Sequence, residues 1–126
     1  MMINHIIRNV AIILGLTDVV ELIDENANDT RLRESMSHRS LLRCASLVVA
    51  NIQANFYGRQ VTQAINTGRE QLAFDIPSQV MEYGILAEYA FAGGMFNEAQ
   101  VWNQKFLDLL FGAKKRSKKM PASFRG

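Results

Sequence analysis

The stretch Leu41-Leu42-Arg43-Cys44-Ala45-Ser46-Leu47-Val48-Val49-Ala50-Asn51-Ile52 decides the fold. Leu41, Cys44, Val48 and Ile52 recur at three- and four-residue steps, the spacing of one helix face. Leu32 and Met36 upstream and Phe56 downstream extend the same side, so one long helix is expected from a cap at Asp29 or Thr30 to about Phe56. Its first half is rich in arginine, and Arg31, Arg33, Arg39 and Arg43 make a possible basic helix face. Glu34 and the acidic stretch 21–29 partly neutralise that face. Its second half, 45–54, is apolar on more than one side, which suits a helix surrounded by other helices or by neighbouring subunits.

Working outward, Ile3, Ile6, Ile7, Val10, Ile13 and Leu14 form the stripe of an amphipathic helix, with Gly15 as its stop. Thr17-Asp18 offers an N-cap to a short helical turn through Ile23, and 24–29 has the composition of a surface loop. On the other side, Gly58 is expected to end the long helix. Val61-Thr62-Gln63-Ala64-Ile65 and Gln71-Leu72-Ala73-Phe74-Asp75-Ile76 flank the turn Asn66-Thr67-Gly68 and suggest a β-hairpin. A lone hairpin is marginal in water, so it must lean on the helical body or pair with another chain. Arg59, Val61, Ile65, Asn66, Gly68, Leu72 and Phe74 are therefore candidate contact residues.

Pro77-Ser78 opens a further helix carrying Val80, Tyr83, Gly84, Ala87, Ala90 and Phe91 on one face, and Gly93-Gly94 breaks it. A last helix with Phe96, Ala99, Trp102, Phe106, Leu109 and Leu110 is spaced to pack antiparallel on it. The expected fold is mainly α: a small bundle of four to five helices with a short β-hairpin or loop insertion at 59–76 and an extended C-terminal arm. Residues 1–112 form the body and 113–126 the arm.

At 126 residues one domain is expected, and 48% apolar with 21% charged residues is ordinary for a globular chain. The longest apolar run, 10–16, is far short of the roughly 20 residues that span a bilayer, so no membrane partner is expected. The start lacks the pattern of a signal peptide, which points to the cytoplasm. Cys44 is the single cysteine and cannot form an internal disulfide; an apolar run follows it, and a core position is expected. The net charge of +2 is unevenly spread: 1–112 carry eight basic and twelve acidic residues, whereas 113–126 carry six basic residues and no acid.

Catalytic chemistry has little to stand on. Gly93-Gly94 is not followed by the Lys-Ser/Thr of a phosphate loop, and His5 and His38 have no Cys or His at ligand spacing, so both are expected on a surface or interface. Glu82 and Glu88 lie six apart, off a common helix face. No catalytic residue, metal or cofactor is expected. Tyr83, Tyr89, Phe91, Phe96, Trp102 and Phe106, at helical spacing, are expected to be core.

The strongest local signal is the tail, with Lys114, Lys115, Arg116, Lys118, Lys119 and Arg125. Such a segment can simply be solvated, or can bind nucleic acid by phosphate neutralisation. It can also dock in an acidic groove of a protein, where Met120, Pro121 and Phe124 would supply apolar anchors that a purely electrostatic arm does not need.

The run Ile76-Pro77-Ser78-Gln79-Val80-Met81-Glu82-Tyr83-Gly84-Ile85-Leu86-Ala87-Glu88-Tyr89-Ala90, followed by Gly93-Gly94-Met95-Phe96-Asn97-Glu98-Ala99, resembles head-to-tail adaptor proteins of tailed bacteriophages. These are also called connector or head-completion proteins and include the tail tubular A type. The order of parts over most of the chain resembles theirs too. The resemblance implies a structural virion protein at the head-tail junction, assembled in the host cytoplasm as a homo-oligomeric ring of about twelve copies. Its implied partners are the portal protein, tail or nozzle proteins, and DNA passing through the channel without sequence-specific binding. Residues 113–126 then match the portal-docking arm, and 59–76 the insertion that lines or extends the ring. The alternative is a small helical nucleic-acid-binding protein using the basic tail.

Overall fold

In the computed structural model, backbone is described for residues 1–57, 64–73 and 75–125, and side chains for 1–55, 64–73 and 75–112. The described elements are all helical: α1 (Ile3–Leu14), α2 (Thr17–Asp24), α3 (Asp29–Glu34), α4 (Met36–Ile52), α5 (Ser78–Ala92) and α6 (Phe96–Arg125). The expected mainly α bundle is what the chain forms.

Three stripes meet in one core. α1 turns Ile3, Ile6, Ile7, Val10 and Ala11 inward against Leu41, Cys44, Ala45, Val48, Val49 and Ile52 of α4 and Val80, Met81, Ile85 and Leu86 of α5. α6 packs along α5 and adds Phe106 and Leu110. The central helix is α5, which touches α1, α4 and α6. Gly84 makes that possible, since a Cβ there would lie 2.7 Å from Val48 Cγ1 and 3.0 Å from Phe106 Cδ1. The contacts of α4 with α1, α3 and α5 explain why 45–54 is apolar on more than one side, with Leu47 left on the outside.

The single long helix expected from 29 to 56 is instead two. Ser35 adopts an extended backbone, φ −82° and ψ 115°, and its hydroxyl accepts the His38 N–H at 3.1 Å, capping α4. A serine that satisfies an orphan donor this way competes with the helical hydrogen bond and starts a new helix. The cap of α3 is Asn28, one residue before the expected position, accepting the Arg31 N–H at 2.9 Å. Beyond Ile52 the chain widens into a π-helical turn, Gln53–Tyr57. Gly58, the expected stop, lies outside the described residues.

Gly15 closes α1 as expected, its N–H bonding to the Ile12 carbonyl at 3.2 Å. α2 starts earlier than expected, at Thr17, after Leu16 and without a side-chain cap. At the other end of the molecule the Met95 N–H bonds to the Ala90 carbonyl across Gly93-Gly94, folding α6 back along α5.

Two expectations for the backbone are corrected. No strand forms among the described residues of 59–76; the only pairing there is an isolated antiparallel bridge between Gln71 and Met2. The Gly68 and Glu70 carbonyls and the Leu72 N–H bond to the start of α1, while the N–H groups of 66–68 bond to the Glu70 carboxylate within the loop. The arm is also not extended, because α6 continues as helix through Arg125. Ala, Lys, Arg and Met are strong helix formers, and from Ala113 to Met120 nothing interrupts a helix already begun. Among the described residues, no helix is long and apolar enough to cross a membrane.

Candidate functional site

A clasp between distant segments forms where the hairpin was expected. The first N–H groups of a helix lack intrahelical acceptors, and Met2 at the start of α1 supplies no side-chain cap. Loop 64–73 supplies the acceptors instead: Ile3 N–H donates to the Glu70 carbonyl at 2.9 Å and Asn4 N–H to the Gly68 carbonyl at 2.7 Å. In return the Leu72 N–H donates to the Met1 carbonyl at 2.7 Å. Ile65 and Leu72 are half-buried against the core and Gly68 is buried, while Asn66 stays exposed. The loop is thus largely engaged within its own chain. Arg59, Val61 and Phe74 lie outside the residues whose side chains are described.

Glu70 organises the loop from inside. Its carboxylate accepts N–H groups from Asn66 at 2.9 Å, Thr67 at 3.2 Å and Gly68 at 2.9 Å. Partial burial pushes this carboxyl up, but the backbone donors together outweigh it and hold it below the usual carboxylate value. Arg69 then ties the loop to the α2–α3 connection, donating to Asp29 Oδ1 at 2.8 Å, Asn26 Oδ1 at 3.2 Å and the Ala27 carbonyl at 2.6 Å.

Beneath Gly68 lies a buried polar pair, Asn4 Oδ1 and His38 Nε2, 2.9 Å apart. With an amide oxygen as acceptor, Nε2 carries the proton and Nδ1 is left as an acceptor. Nδ1 is buried and has no hydrogen-bond partner among the described residues. A cavity of about 10 Å³ sits beside the ring, lined also by Asp29, Leu32, Arg33, Leu42, Asn66 and Thr67. That is about the space one water needs. His38 is 1% exposed, which corrects the surface position expected for it. Its side chain lies on the inner side of α4, in the first turn after the Ser35 cap.

Burial lowers the His38 pKa below its ordinary value. The unfolded chain therefore takes up a proton first as pH falls, so this contribution to stability is complete above about pH 6.5 and declines below it. Urea midpoints measured from pH 8 to pH 5 are expected to fall, and His38→Gln is expected to remove most of the slope. An unchanged slope in that variant would assign the effect elsewhere.

The four-arginine face expected on one long helix is divided by the break at Ser35. Arg31 pairs with Glu25 at 3.2 Å, and Arg33 donates to the Asp29 carbonyl at 3.3 Å. Arg39 and Arg43, on α4, are exposed and have no ion-pair partner among the described residues. Of the aromatic set, Phe106 is buried, while Tyr83 and Trp102 stack half-buried with ring centres 5.6 Å apart and Lys105 Nζ 5.8 Å from the Tyr83 ring. Phe91 and Phe96, expected in the core, are instead exposed with Met95 at the α5–α6 turn, because that turn protrudes past the last core residue of α5, Ala90.

Chemistry-bearing groups are dispersed. No group of three His, Cys, Asp or Glu side chains could hold a metal among the described residues. Cys44 is in the core as expected, and burial, with Glu88 nearby, pushes its thiol up to about 11, leaving it protonated and unreactive at neutral pH. Glu82 is engaged by the Asn9 amide at 3.2 Å. The side chains of the arm, Lys114 to Arg125, lie outside the described residues. Sequence reasoning missed Asn4, Glu70 and Arg69 as a clasp, whose one legible signal was the turn Asn66-Thr67-Gly68. No family model matches this chain, and neither a curated protein nor a solved structure matches it.

Proposed function

We propose that the protein is a structural adaptor of a tailed-bacteriophage virion, several copies forming a ring between portal and tail through which DNA passes. One observation carries the reading: the six basic residues of 113–126 lie on the same helix that is anchored in the core by Phe106 and Leu110. From Leu110 to Arg125 that helix continues for about 22 Å at 1.5 Å per residue. A net-acidic body repels passing DNA, while a cationic segment fixed to it seeks an acidic partner surface. The segment is the portal-docking element, through Lys114, Lys115, Arg116, Lys118, Lys119 and Arg125, with Met120, Pro121 and Phe124 as apolar anchors.

Deleting 113–126 tests this. Among the described residues the core ends at Leu110, so the truncated chain is expected to keep its melting temperature within a few degrees while losing capture by portal rings. A truncated chain that still joins the portal overturns the arm assignment. The second reading, a nucleic-acid-binding helix, rests on the same six cations and requires duplex DNA binding that weakens steeply with salt. Tight binding at low salt that is lost on truncation would favour it over the adaptor.

A further inference from the structure

We propose that copies of this chain join head to tail, the acidic corner between α1 and α2 of one copy seating on the arginine stripe of α4 in the next. The proposal deepens the ring reading by assigning its two contact faces. On α4, Met36, Arg39, Arg43 and Leu47 follow one another at steps of three and four residues and form a single solvent-facing stripe. Met36 is 74% exposed and Leu47 52%, so two large apolar side chains bracket two guanidinium groups that have no ion-pair partner among the described residues.

The complementary pattern sits elsewhere on the same body. Ile12 and Ile13, 53% and 52% exposed, end α1, and the tight turn through Gly15 brings them next to the first residues of α2. There Asp18 and Glu21, one turn apart and both exposed, face away from the buried Val19. Neither has an ion-pair partner among the described residues, whereas their neighbours Asp24 and Glu25 are held by Arg8 and Arg31. Each face therefore offers two apolar side chains and two uncompensated charges, of opposite sign on the two faces.

The signs choose the mode of association. Two arginine stripes placed together, or two acidic corners, would bring like charges into contact, which disfavours a twofold dimer through either face. Pairing one face with the other neutralises both and covers the four apolar side chains. A contact between two different patches is heterologous, and it builds a ring where the rotation from copy to copy closes.

The test uses the full chain and sedimentation velocity at low and high salt. Wild type is expected to form assemblies that dissociate as salt rises. Arg39→Glu with Arg43→Glu, and separately Asp18→Arg with Glu21→Arg, are each expected to sediment as monomers with unchanged circular dichroism. Mixing the two variants restores opposite charges at both junctions and is expected to restore assembly. The milder Arg39→Gln with Arg43→Gln is expected to weaken association about tenfold, guarding against a fold defect in the reversals. Assembly of either reversed variant alone, or a folded mixture that stays monomeric, overturns the proposal. A wild-type chain that remains monomeric yet binds portal through 113–126 would overturn this contact and leave the adaptor reading standing.

Discussion

Replacing Phe106 by Ala is expected to lower the unfolding free energy by about 3–5 kcal/mol, the range for deleting a buried aromatic ring. Domains of this size are stable by only about 5–15 kcal/mol, so the variant approaches the edge of folding. The upper part of the range is expected because of what faces the ring. Phe106 is buried on α6 directly over Gly84 of α5, and a glycine has no side chain with which to refill the space. Val48 lies against the same glycine, and its branched side chain has little freedom to move inward. Urea denaturation checks the value. A change below about 1 kcal/mol would show that α6 does not depend on this seat, against the packing described. Because α6 carries 113–125, the same variant should also loosen the arm from the body.

Gly68→Ala is expected to cost about 2–4 kcal/mol, from two separable sources. Gly68 has φ +90°, a conformation that strains any residue with a Cβ. An added Cβ would also fall 2.0 Å from Asn4 Oδ1, the atom that meets His38. Either the loop lifts and its bonds to the start of α1 are lost, or Asn4 turns away and leaves His38 unpaired. In an Asn4→Ala background the clash disappears, and the same substitution should cost only the strain, about 1 kcal/mol. Additive costs in the double variant would show that Gly68 and Asn4 do not meet.

The two experiments probe parts of the fold that were unequally legible. Phe106 could be placed in the core from its spacing with Ala99 and Leu110 on one helix face, which needs only neighbours in sequence. Phe91 and Phe96 have the same chemistry and similar spacing, yet they sit at a turn that protrudes beyond the core. Periodicity reports which side of a helix a residue occupies and not how far along the helix the core extends. His38 shows the complementary difficulty. A polar residue among arginines reads as surface until Ser35 ends one helix, starts another and sets the ring against Asn4, 34 residues away.

The candidate faces divide in the same way. The charge split between 1–112 and 113–126 is a property of composition and needed no structure. Which arginines remain available was a different matter, since Arg31 and Arg33 are committed locally while Arg39 and Arg43 are not.

By itself, the sequence determined that this chain is helical, where its apolar stripes run, that Gly15 and Gly93-Gly94 end helices, and that cationic charge gathers after Gly112. Each of these depends on residues within about four positions of one another, the range over which a helix makes its own hydrogen bonds. Only the tertiary structure decided that 64–73 is a clasp and not a hairpin. That loop could satisfy its backbone within itself or at the exposed start of α1, and Arg69, Glu70 and the buried Asn4 tip the choice through contacts made only when the chain folds.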